Sequence, residues 1–145
     1  MNVASDNKVG TSIGYRYDAD NTVWVKGTYE NDGVAKTPMM VQQNESGYVF
    51  LDIADNANWY MFGVPAVAHA TGVEGWIQIG GPCDDVITPS LSMTVGHAFG
   101  VHDGTIVDKA ADFGVNLHCA VARTETTTST TQDMWLIARP FLAST

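Results

Sequence analysis

Residues 75–83, Gly75-Trp76-Ile77-Gln78-Ile79-Gly80-Gly81-Pro82-Cys83 (GWIQIGGPC), decide how the chain is read. In an extended backbone successive side chains point to opposite faces. Trp76, Gln78 and Gly80 then share one face, and Ile77 and Ile79 the other. Both faces carry apolar atoms, which predicts a strand between two layers with Trp76 and the isoleucines filling a core. Gly80-Gly81-Pro82 predicts a sharp corner, because glycine accepts turn conformations and proline has no N–H for a ladder. The strand is expected to stop there, and Asp84 to Ser90 to form a loop.

Similar signals recur on both sides. Thr22 to Tyr29 (TVWVKGTY) is β-branched and aromatic, and Asn31-Asp32-Gly33 is a turn with glycine where positive φ is needed. Pro38 to Gln43 predicts a short strand, Asn44 to Gly47 a turn, and Tyr48 to Ala54 a more buried strand. Trp59 to Val64 is strongly apolar and ends at Pro65. Ala66 to Thr71 fits a helical turn or another strand. Leu91 to Val95 alternates cleanly. The stretch from Gly96 to Thr105 contains an Asp103-Gly104 turn, and Asn116 to Arg123 and Met134 to Leu142 read as further strands. Ile106 to Phe113 (IVDKAADF) is the best helical candidate. Thr124 to Thr131 is too polar to order itself by burial and is expected to be a loop joining two strands.

Closely spaced short strands predict an all-β chain. The expectation is a single sandwich or barrel-like domain with at most one or two short helices. Residues 1–20 carry weak periodicity and read as an extended N-terminal arm, leaving 21–145 as the β-rich domain. Tyr15 and Tyr17 would point to one side of that arm.

Composition narrows function by exclusion. The 145 residues carry sixteen acids and seven bases, a net charge of −9. Phosphate-binding surfaces gain affinity by replacing counterions with Lys and Arg. The bases here are few and scattered, so neither nucleic acid nor an anionic membrane is an expected partner. Only 16% of residues are charged, against a usual share of about 25%, so much of the surface is polar but neutral. No signal peptide is expected from the first residues, and the longest apolar run falls far short of a membrane span.

No motif carries chemistry. Cys83 and Cys119 form no CxxC pair; two buried thiols are expected, a single disulfide being the alternative. His69, His97, His102 and His118, with Asp103, lack the spacing of a metal loop. Asp84-Asp85 and Asp52 with Asp55 read as solvated turn acids. GxSxG, P-loop and GxGxxG patterns are absent. No catalytic residue, metal or cofactor is assigned. Trp24, Trp59, Trp76 and Trp135 lie in strand-like runs and are expected in the core, a sugar-stacking platform being the alternative. Aromatic residues also anchor interfaces, and the interface candidates are Ile13, Tyr15, Tyr17, Trp24 and Trp59.

A longer pattern surrounds the opening stretch. Ala66, Ala70, Gly72, Gly75, Trp76, Gln78 and Gly80 spell A…A.G..GW.Q.G. Val95-Gly96, the Asp-Gly turn, Ala110-Ala111, a Gly-Val, the Thr-rich loop and a last strand follow. In this order the chain resembles the small capsid decoration (cement) proteins of tailed bacteriophages. The resemblance implies a β-rich, non-enzymatic virion protein on the capsid exterior. It implies a homotrimer bound to the major capsid protein, stabilising the shell against the pressure of packaged DNA. An arm bearing Ile13, Tyr15 and Tyr17 would suit strand addition to a neighbour. The alternatives are a tail or head-fibre component binding a host glycan, and a small hydrolase using Asp and His.

Overall fold

The glycine-proline corner is a passage and not a stop: one strand of eighteen residues runs from Glu74 to Leu91 straight through it. The computed structural model describes residues 15–45, 47–53, 61–102, 104–108 and 118–137. In these the strands are β1 (Tyr15–Tyr17), β2 (Val23–Tyr29), β3 (Met39–Asn44), β4 (Gly47–Leu51) and β5 (Met61–Gly63). They continue with β6 (Glu74–Leu91), β7 (Ala98–His102), β8 (Thr105–Asp108), β9 (His118–Ala122) and β10 (Ser129–Leu136). The hydrogen-bonded order is β5-β3-β4-β2-β6-β10-β9-β7-β8, with β1 paired to β2. The fold is all-β, as expected, and barrel-like through the curl of this sheet. No helix occurs among the described residues, and none there is long and apolar enough to cross a membrane.

The first half of β6 pairs with β2 and the second half with β10. Gly81 makes the transfer at φ +85, left-handed backbone that glycine adopts without steric cost. It also packs against another backbone: a Cβ there would lie 2.0 Å from the Asn21 carbonyl oxygen. The buried Gln78 bridges the passage. Its Nε2 donates to the Gly80 carbonyl at 3.0 Å and the Pro82 carbonyl at 2.8 Å. Buried carbonyls near the change of partner are thus satisfied by a side chain.

The first half of the sheet closes on itself. Val64, just beyond β5, exchanges backbone hydrogen bonds with Gln78 of β6 at 2.9 and 3.0 Å. That contact joins the ends of β5-β3-β4-β2-β6 into a small barrel. Val23, Val25, Tyr29, Met39, Val41, Phe50, Ile77 and Ile79 form its interior. Gly63 belongs here because a Cβ would lie 2.7 Å from Val41 Cγ2 and 2.9 Å from Ile77 Cδ1.

The second half, β6-β10-β9-β7-β8, curls over the barrel. Cys83, Val86, Phe99, Val101, Ile106, Ala120, Ala122, Met134 and Leu136 pack from it against Met40, Phe62 and Val64 of the barrel wall. Met39 and Met40 therefore face different cores, so β3 is buried on both sides. That explains its unbroken apolar run, which alternation alone would not require. Two cores lie on one continuous sheet, and β6 is the strand that belongs to both halves of it.

Several local expectations change. Asp84 to Ser90 is strand: Cys83, Val86 and Thr88 are buried while Asp84, Asp85 and Ile87 are exposed. A bulge absorbs the irregularity, with Asp85 at φ +57 and its N–H donating to Asp133 Oδ1 at 3.0 Å. Conversely, Ser92 to Thr94 is irregular, held by buried Met93, whose backbone pairs with Thr126. Ile106 to Asp108, the start of the expected helix, lies in β8, where Ile106 is buried against the second core; residues 109–113 lie outside the described residues. Ala66 to Thr71 is a bend with one bridge, His69 to Gly33. Residues 124–128 of the Thr-rich segment do join two strands, but 129–131 already belong to β10, and the connection is pinned by hydrogen bonds. Thr126 donates to Gln132 Oε1 at 2.8 Å, and Gln132 Nε2 donates to the Leu91 and Ser129 carbonyls.

Candidate interaction surface

The described end of the expected arm is tied to the barrel. Tyr15, Arg16 and Tyr17 pair antiparallel with Val25, Trp24 and Val23 of β2. Arg16 is only 7% exposed although it carries a fixed charge. Asp18, 3% exposed, takes it in a forked ion pair, Nε to Oδ1 at 2.8 Å and Nη2 to Oδ2 at 3.3 Å. The guanidinium also lies 4.4 Å from the centre of the Trp76 ring and 5.3 Å from that of Trp24. A cation so placed is attracted by the negative ring face. Arg16, Trp24 and Trp76 therefore hold β1 on the outside of the barrel.

Two grooves flank this cluster. One, of about 400 Å³, lies between Trp24, Lys26, Val67, His69, Glu74 and Trp76. A Lys26–Glu74 ion pair of 3.6 Å spans it. His69 is fixed by stacking 4.3 Å from Tyr29, nearly parallel, and Gly75 leaves room for its ring. The other groove, of about 370 Å³, runs between Tyr17, Asn21, Val23, Trp135 and Ile137, with Gly80 and Gly81 among its lining. Tyr17 is 63% exposed and Trp135 47%. The Tyr17 hydroxyl donates to Asn21 Oδ1 at 3.1 Å.

The sequence-derived candidates fall unevenly on this surface. Tyr17 is exposed on the second groove. Trp24 is half-buried, its Nε1 donating to Thr22 Oγ1 at 2.8 Å. Tyr15 lies in β1. Ile13 and Trp59 lie outside the described residues. The three described tryptophans expected in the core are not there: Trp24 and Trp76 are half-buried around Arg16, and Trp135 stands outside. Alternation along β2, β6 and β10 sets these indoles opposite Val23 and Val25, Ile77, and Met134 and Leu136, the side chains that fill the two cores. Trp135 was recoverable from the sequence, since alternation sets it opposite Met134 and Leu136. Nothing in the sequence marks Arg16 as buried.

Titratable groups here serve structure. Hydrogen bonds from Thr22 hold Asp20 below the usual carboxylate range, and hydrogen bonds from Thr71 do the same for Asp32. Burial pushes the free Cys83 thiol up to about 11. His97 Nδ1 stands 3.7 Å from Asp108 Oδ2, too far for a hydrogen bond. Among the described residues no three His, Cys, Asp or Glu side chains are grouped to share a metal ion.

No protein family model and no curated protein sequence matches the chain. A solved structure does share its fold. Over 80% of this chain and 94% of that one, at 16% sequence identity and a TM-score of 0.53, the chain is similar to the N base of head fibre gp8.5 of bacteriophage phi29.

Proposed function

We propose that this chain is a structural component of a bacteriophage head, attached to the outside of the capsid and acting by contact and not by turnover. The observation that carries the reading is the shared fold with the base of a head fibre, which spans nearly the whole of that base domain. The sequence resemblance to capsid decoration proteins points to the same particle from different residues. An acidic chain with seven basic residues suits an exterior position, away from packaged DNA.

The first form of this proposal is a decoration protein, a homotrimer on the major capsid protein that stiffens the shell. Contacts repeated over a symmetric shell add through multivalency. The second form, favoured by the fold likeness, is the base of a head fibre. Purified virions of the phage encoding this chain distinguish them when probed with gold-labelled antibody and quantitative mass spectrometry. Label distributed over the shell at high copy number supports decoration. Label at the feet of discrete projections, at low copy number, supports a fibre base. Absence of the chain from purified particles refutes both.

A further inference from the structure

We propose that the outer face of the second half-sheet, centred on Trp135, docks against a partner protein whose contact surface is apolar at its centre and basic at its rim. The partner's identity rests on the phage-head reading, in which it is the major capsid protein. The inference starts from strand register. Pro82 of β6 lies opposite Trp135 of β10, Trp135 opposite Val121 of β9, and Val121 opposite Ala98 of β7. Directly opposed residues in antiparallel strands share a face. Their neighbours Cys83, Met134, Leu136, Ala120, Ala122 and Phe99 point the other way, into the second core. An apolar row thus crosses four strands on the face away from the second core, with Trp135 exposed and Pro82, Val121 and Ala98 half-buried around it.

The row is built like an interface centre. Trp135 is 47% exposed, and tryptophan is among the residues that most often dominate binding energy. The row continues into the groove with Tyr17 and Ile137, so the apolar surface turns the corner of the sheet instead of ending at Trp135. Trp135 lies in an interior strand with partners on both edges, which excludes strand addition and leaves face-to-face docking.

The rim selects the partner. On the next residues along the strands stand Asp84, Asp85 and Asp133, with Glu125 beyond them, against a single base, Arg123, already paired to Asp84. A second copy meeting this face with its own would set acids against acids. Nor do the four bases among the described residues gather into a patch elsewhere: Arg16, Lys26 and Arg123 are each engaged by an acid, and Lys36 is held beside β6, its carbonyl accepting from the Ile87 N–H. Opposite charge at the rim steers encounter and penalises wrong partners. A different protein with a basic rim is the occupant that fits.

The test is a sedimentation titration with empty shells assembled from the major capsid protein encoded by the same phage. Trp135→Ala is expected to weaken shell binding about 30-fold or more, the loss typical of a hot-spot truncation of ~2 kcal/mol. Its urea midpoint should match the wild type, since the side chain is half in solvent. Neutralising the rim with Asp85→Asn and Glu125→Gln should weaken binding and flatten its decline with salt. Wild-type binding that Trp135→Ala leaves intact would overturn this face while sparing the phage-head reading. Loss of self-association by Trp135→Ala, with shell binding unchanged, would make the face a contact between copies and also overturn the proposal. Failure of the wild type itself to bind shells would remove both.

Discussion

Replacing Gly81 by alanine tests whether the transfer of β6 between sheets is the joint of the fold. Two costs are legible in the geometry. The residue sits at φ +85, where a side chain costs roughly 1–2 kcal/mol. The added methyl would lie 2.0 Å from the Asn21 carbonyl oxygen and 3.0 Å from Thr22 Cα, both backbone atoms, so β6 or the turn before β2 must move. Forced shifts of that kind add roughly 1–3 kcal/mol. Gly96 supplies the control, with φ +88 and nothing within 4 Å of its would-be Cβ, so Gly96→Ala carries the first cost alone. The entropy that alanine removes from the unfolded chain is common to both variants and cancels. Gly81→Ala should therefore be less stable than Gly96→Ala by about 1–3 kcal/mol, or roughly 2–4 °C in midpoint for each kcal/mol. Urea unfolding followed by tryptophan fluorescence, checked by calorimetry, measures the difference. Equal losses in the two variants would show that the Asn21 contact yields freely and that Gly81 is an ordinary turn glycine.

Other perturbations probe the remaining parts. Ile77→Ala opens the barrel interior and should cost about 2–5 kcal/mol in urea unfolding. Gly63→Ala should be less harmful in that background than alone, because Ile77 Cδ1 is one of the two atoms its methyl would strike; strictly additive losses would count against this. Arg16→Met strands the buried Asp18 carboxylate and should cost roughly 3–5 kcal/mol, most of it regained in Arg16→Met/Asp18→Leu. If the single variant is as stable as the wild type, the forked pair contributes nothing. The Cys83 thiol ordinarily ionises near 9.0 but near 11 in the fold. The folded state keeps its proton where the unfolded chain loses it, so this contribution is complete below pH 9 and is lost as pH rises towards 11, by roughly 2–3 kcal/mol. In a pH series of urea unfolding, Cys83→Ala should abolish the part of the decline that starts near pH 9 and spare the part that buried Tyr29 adds from its ordinary value of 10.0 upward.

Period-two patterning and turn chemistry made much of the sheet legible. β2, β3, β4 and β9 fall within or next to the stretches read as strands. Register leaves two-residue connections at 45–46 and 103–104, between Asn44 and Gly47 and between His102 and Thr105, where the turns were expected. The misreadings share a cause in contacts distant along the chain. Gly80-Gly81-Pro82 reads locally as a stop; it becomes a passage only because β10 arrives to pair with the second half of β6. Asp84-Asp85 reads as a loop because the Asp133 side chain that accepts the bulged N–H is nowhere near it in sequence. Arg16 lies in the stretch read as an arm, and only folding brings Trp76 over it. Half of the proposed docking face was within reach, through the alternation about Trp135. Its row with Pro82, Val121 and Ala98 was not, since pairing across four strands leaves no local trace.

A strand shared by a closed barrel and the half-sheet above it gives the molecule a continuous tendon. Tension applied at one end of residues 74–91 is carried along covalent bonds past Gly81 and spread sideways into two ladders, each loaded in shear. Neither lobe can swing free of the other without tearing backbone pairs on both sides of the joint. A shell-mounted part built this way would hand stress on to its neighbours as a stiff strut, and would give way all at once instead of bending by degrees.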